Sequence, residues 1–336
     1  MCLKTLENKP FLVILLMMLI LSFQIAFAQE EGEPAPKYTT GEYNDYQKAV
    51  EGGPGTLLTF IKENPDSYLT KEYGIRHYLG LIEEAYKSGQ HDETLSRAEN
   101  FLADIDASNF AAQYYAALSA YLTRNWPKAA KYGQAVYDAR PETEGFLSIL
   151  ARAYHSAGDL DHAVPMIESY CGTVEPKDCY DLLPTITAHY AGKKQWAKAS
   201  EYAQKTIEAL DGVPKPAEAA DDVWKNYVED EKSKCYTVLG KQAFESKKWA
   251  SVEKNHRSSL QLNAKDKVRR AESYYYIGMS LWNREMIDPA MESFARGSKI
   301  SGTPHAKPCR EQLERLYKGT HNGSLAGLEE FLDRVG

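Results

Sequence analysis

Residues 144–177 read EGFLSILARAYHSAGDLDHAVPMIESYCGTVEPK. Leu147, Leu150, Ala151 and Tyr154 fall three and four positions apart, which sets them on one stripe of a helix. Ala157-Gly158-Asp159 turns the chain, because glycine accepts backbone conformations closed to other residues. Leu160, Ala163 and Ile167 then open the apolar face of a returning helix. Ala151 and Ala163 are small where two antiparallel helices have to approach. The stretch reads as a helical hairpin.

The same hairpin recurs. Thr94, Ala129, Ala163, Ala199, Val252 and Ala290 occupy one position in six units, separated by 35, 34, 36, 53 and 38 residues. A period near 34 with one insertion marks an α-solenoid, whose units bury their apolar faces only by stacking. Tyr274, Ile277, Gly278 and Leu281, then Ile287, Ala290 and Phe294, repeat the pattern near the C-terminus. Tyr236, Leu239, Gly240, Trp249, Val252 and Leu260 do so before it, as do Leu183, Ile186, Thr187, Tyr190, Trp196 and Ala199. Units near Phe110 and Ile75 are poorer, with bulky Ile82 where a small residue belongs. Over about residues 75–300 this pattern resembles the tetratricopeptide repeat. The resemblance implies an all-α, right-handed α-solenoid of antiparallel helix pairs, a TPR-like superhelix with protein-binding surfaces.

Outside the repeats, residues 1–28 read as an export signal. Lys4 and Lys9 precede an apolar run from Phe11 to Phe23, and Ala26-Phe27-Ala28 suits cleavage before Gln29. An uncleaved anchor over residues 11–28 is the alternative. Residues 29–41 form a Pro-rich acidic linker, residues 42–303 the repeat domain with an insertion at 211–231, and residues 304–336 a pair of capping helices. In that pair Asn322-Gly323 turns the chain and Ser324 is expected to cap the second helix. The insertion reads either as a first helix extended backwards or as a protruding partner contact, with acidic residues on its exposed side. The expected location is the periplasm, the cell envelope or the medium.

A net charge of −7 without a basic block argues against nucleic acid. An even set of cysteines follows the signal, and Cys171 and Cys179, eight positions apart, are expected to close a small loop in an oxidising compartment. On the chain-entropy model that bridge contributes about 2–3 kcal/mol. Cys235 and Cys309 read as buried thiols. The sequence has no zinc-binding spacing, phosphate loop or nucleophile elbow, so no catalytic residues, metal or cofactor are assigned.

If the resemblance carries over, a second stripe on each first helix faces the concave groove. The stripe comprises Tyr86 in the earliest unit, Arg152 and His155 in the 144 unit, and Lys241 and Phe244 in the next-to-last. Tyr275, Met279, Trp282 and Asn283 complete it in the last. Rings supply contact area and the two cations can hold carboxylates. Tyr275, Met279 and Trp282 could equally cover the neighbouring helices. The expected function is an exported, non-enzymatic adaptor that binds a protein segment. A structural envelope component, a glycan binder and a helical enzyme are the alternatives. Membrane contact is expected only through an uncleaved N-terminal segment.

Overall fold

A computed structural model describes residues 37–262 and 265–335. The stretch read as an export signal, residues 1–28, and most of the expected linker lie outside these residues. Every regular element among the described residues is helical, and none is long and apolar enough to cross a membrane. The described residues divide into two compact units, one drawn from residues 37–84 and 100–107, the other from 85–99 and 108–335 apart from 263–264.

In the first unit, α1 (Thr40–Glu51) packs on α2 (Pro54–Glu63). Thr39 and Glu42 form a capping box that satisfies two otherwise unpaired N–H groups at the start of α1. Leu57, Leu58, Phe60 and Ile61 of α2 are buried. A π-helical turn, Thr70–Gly74, leads into α3 (Ile75–Lys87), where the Tyr78 ring stacks 5.7 Å from Phe101 of α4 (His91–Asp104).

The second unit is a stack of hairpins. Its pairs are α5 (Phe110–Leu122) with α6 (Trp126–Ala139), α7 (Phe146–Ala157) with α8 (Leu160–Cys171), and α9 (Leu183–Gly192) with α10 (Trp196–Gly212). They continue with α11 (Asp221–Glu245) and α12 (Trp249–Leu262), then α13 (Lys267–Asn283) and α14 (Ile287–Ser298). First helices of neighbouring pairs also touch one another: α9 meets α11, and α11 meets α13. This is the all-helical, paired architecture that the sequence implies.

Register explains why the hairpins match. Thr94, Ala129, Ala163, Ala199, Val252 and Ala290 are all fully buried. Five positions before each stands a residue with a left-handed backbone: Gly89, Arg124, Gly158, Lys194, Lys247 and Glu285. Around each, the amide of the next residue donates back five residues, from Gln90 to Ala85 O at 2.9 Å through to Met286 to Leu281 O at 2.9 Å. The left-handed residue itself donates to the carbonyl three before it, as Lys247 does to Phe244 O at 2.9 Å. Six turns thus close six first helices with one Schellman arrangement, which satisfies carbonyls a helix end leaves open.

The insertion becomes a long helix. After α10 ends at Gly212, residues 213–220 lead into α11, whose 25 residues carry the first helix of its pair backwards by several turns. At the C-terminus α15 (Ala306–Thr320) and α16 (Leu328–Arg334) bury Leu313, Leu316, Leu328 and Leu332 with Ile277, Leu281 and Phe294. The expected cap differs. Ser324 Oγ accepts from the Ala326 amide at 3.0 Å and belongs to the turn, while Gly327, in a left-handed conformation, precedes α16.

Candidate partner-binding face

Four of the sequence-selected residues share one register position, eight before the buried small residue. Tyr86, His155, Phe244 and Trp282 stand in the last turn of their first helices. The Tyr86 ring lies 5.4 Å from His91, and Phe244 lies 5.4 Å from Trp249, the first residue of its return helix. Tyr121 and Trp126 repeat this at 5.6 Å, although sequence reading did not place Tyr121 on the stripe. These pairs brace the turn.

Both cations of the stripe have partners inside the chain. Arg152 grips Asp181 with two bonds of 3.1 Å, donates also to Ser148 Oγ, and stands 5.3 Å from the Tyr170 ring. That arrangement ties α7 to the loop containing Cys171 and Cys179, whose Cα atoms are 5.8 Å apart, a separation a disulfide spans. Lys241 Nζ lies 2.6 Å from Glu272 and 5.5 Å from the Trp196 ring centre. The expected capture of a partner carboxylate by either cation meets this competition. Tyr275, Met279 and Trp282 pack against the C-terminal cluster, with the Arg315 guanidinium 4.9 Å from the Trp282 ring. Asn283 is exposed and donates to Met279 O at 2.8 Å. Sequence-selected residues are thus distributed over turn and core, and the structure does not bring them together as one lining.

The open surface lies elsewhere on the first helices. A cavity of about 550 Å³ is lined by Thr185, Ala188 and Ala191 of α9, Lys234 and Val238 of α11, and Arg269 of α13. The α9 residues are three apart and small, which leaves room between α9 and α11 where a larger stripe would fill it. A second cavity, about 780 Å³, shares Lys234 and Arg269 and runs along the acidic beginning of α11 past Asn226 and Glu229.

Charge at the shared wall is organised. Lys234 Nζ contacts Asp230 at 2.8 Å and Glu231 at 2.7 Å, while Arg269 contacts Asp230 at 2.9 Å and Asp266 at 3.0 Å. Burial opposes ionisation of Asp230, but bonds from Lys234 and Arg269 outweigh it and hold its carboxyl below the usual range. Arg269 also reaches Ser233 Oγ at 3.1 Å, at the end of a buried chain in which Ser233, Ser259 and Thr237 hydroxyls lie 2.9 and 3.0 Å apart. Such a braced wall keeps its shape and presents both signs of charge. Lys234 and Arg269 are one turn or more from the residues chosen by sequence. The available signal was the run of small residues on α9. No cluster of His, Cys, Asp and Glu suited to a metal occurs among the described residues.

No protein-family model matches the chain, and no curated protein matches it. Among solved structures, the C-terminal part of a TPR repeat-containing protein from Cytophaga hutchinsonii is 11% identical. The match covers 76% of this chain and 90% of that one, at a TM-score of 0.37. A tetratricopeptide repeat protein from Parabacteroides merdae is 11% identical over 82% of this chain and 96% of its own, at a TM-score of 0.32. The P58(IPK) TPR domain gives 11% identity, 84% and 78% coverage, and a TM-score of 0.32. Likenesses this slight bear on neither partner nor activity.

Proposed function

We propose that the chain is an exported, non-enzymatic adaptor that holds a protein segment against the face built by α9, α11 and α13. The observation that carries this reading is the cavity of about 550 Å³ lined by first helices, with apolar walls and Lys234 and Arg269 at its margin. An extended peptide or a helix can bury apolar side chains there and meet paired charges at the rim. Export rests on the apolar run before Gln29 and on the closely spaced Cys171 and Cys179.

A photoreactive residue at Ala188 in the native compartment tests the proposal, with Lys254 on the return helix α12 as the comparison position. The expected result is a discrete protein adduct from position 188 that Thr185→Trp, which plugs the cavity, diminishes. Equal adducts from both positions, or one indifferent to the plug, contradict it.

A further inference from the structure

The five turns within the hairpin pairs of the second unit lie along one edge of the stack, since each joins a first helix to its return helix at the same end. Two successive turns carry Lys193-Lys194 and Lys247-Lys248, all four exposed and none ion-paired among the described residues. Elsewhere along α11, Lys232, Lys234 and Lys241 all have carboxylate partners. Lys194 and Lys247 are also the left-handed residues of their turns, at φ 56° and 54°, where the equivalent positions 89 and 158 are glycine. L-residues adopt that backbone at a cost, which glycine avoids.

Apolar tips accompany these charges. Trp196 and Trp249, half-buried, open the return helices directly after the two lysine pairs. Lys241 over the Trp196 ring links the two turns. Further along the edge, Leu122 and Leu160 are 50% and 45% exposed, among the most exposed large apolar residues described. Acidic residues share this edge: Asp159 beside Leu160, bonded by His162 at 2.8 Å, exposed Glu245 just before Lys247, and exposed Glu285 in the last turn, so the positive excess is confined to the two lysine-bearing turns.

Turn tips form a ridge and not a groove, so the complementary partner is flat. Its chemistry is anionic, because unpaired lysines gather here in a chain of net charge −7. It also accepts indole and leucine side chains, which an acidic polypeptide alone leaves without a role. We infer that this edge rests on an anionic lipid bilayer, lysines against phosphate headgroups and Trp196, Trp249, Leu122 and Leu160 in the interfacial layer. This contact uses a different surface from the α9–α11–α13 face and stands or falls independently of it.

The test is flotation of the full chain, exported from a host cell, with vesicles of phosphatidylcholine alone or with one-fifth phosphatidylglycerol. Wild type and the K193E/K194E/K247E/K248E variant carry the same N-terminal residues, so any contribution of these cancels. Circular dichroism of the variant checks that it keeps its helices. The expected result is binding to the anionic vesicles that falls at least about tenfold in the variant and weakens in high salt. A Trp196→Phe/Trp249→Phe variant should lose the blue shift in fluorescence on those vesicles. Equal binding of wild type and charge variant overturns the inference. So does capture of poly-glutamate by the lysines with no vesicle binding, which would assign the edge to acidic polypeptides.

Discussion

The hairpins α11/α12 and α13/α14 stand next to each other in the same register, yet three equivalent interior positions carry Ser233, His256 and Ser259 in one and Ala271, Phe294 and Gly297 in the other. Gly240 and Gly278 hold equivalent positions, and a Cβ on either would meet a ring, His256 at 2.5 Å or Phe294 at 2.6 Å. Ser233 and Ser259 in the first pair correspond to Ala271 and Gly297 in the second, where the Cys309 side chain fills the space. His256 is fully buried, its Nδ1 lies 3.3 Å from Ser273 Oγ, and its ring stacks 4.9 Å from Tyr276. Its Nε2 has no hydrogen-bond partner among the described residues. Backbone register therefore fixes which positions meet, while the chemistry at those positions varies from pair to pair. Polar groups kept inside must be bonded or neutral.

The largest effect should come from removing the shared close approach. Gly240→Ala and Gly278→Ala each place a methyl group inside a ring, and each should cost about 3 kcal/mol in urea unfolding. A neutral result in only one pair would show that the two do not share geometry. Gly133→Ala provides the contrast, because a Cβ there reaches Leu150 at an ordinary 3.4 Å. It should be tolerated, and helix propensity favours alanine by about 1 kcal/mol.

The pair that holds His256 should answer to acid through that residue. Burial, then the nearby charges of Lys241 and His305, depress the His256 pKa from 6.5 to about 3. An unfolded histidine takes up its proton below about 6.5, whereas the folded one resists until near 3. Stability from this residue is therefore complete above pH 6.5 and declines as pH falls, by on the order of 1.4 kcal/mol per unit. His256→Phe, which copies Phe294, should flatten melting temperature against pH between 6.5 and 3. An unchanged acid slope would show that His256 is protonated or exposed.

Smaller effects follow. Ser259→Ala removes a hydroxyl within hydrogen-bonding distance of Ser233 and Thr237, and should cost about 1 kcal/mol in a urea melt, whereas Ala271→Ser adds an unpartnered hydroxyl to the α13/α14 pair. Lys247→Gly relieves a left-handed side chain but loosens the unfolded chain, for a net gain of a few tenths of a kcal/mol. A loss of more than about 1 kcal/mol would mean that the Lys247 side chain holds the turn.

The repeat was legible because its determinants are local. Small residues at a period near 34 are set by close approach within a hairpin, and all six are buried. Surface roles were less legible, because they depend on what arrives from elsewhere in the chain. Arg152 and Lys241 read as free cations until Asp181 and Glu272, 29 and 31 positions on, come to meet them. Tyr275, Met279 and Trp282 could have lined a groove or a core, and they pack, partly buried, against the C-terminal cluster, with Arg315 of α15 over the Trp282 ring. His256 escaped notice although its place, four after Val252, is the place Phe294 takes after Ala290.

Amide hydrogen exchange read by mass spectrometry tests the common register most directly. The turn amides are bonded back to their first helices, so fast exchange should fall just past each turn, where the first amides of a return helix have no helical acceptor: residues 91–93, 126–128, 161, 196–198, 249–250 and 287–288. Fast-exchanging sites spaced without regard to that register, or protection running unbroken through those six helix starts, would contradict the stack of like hairpins.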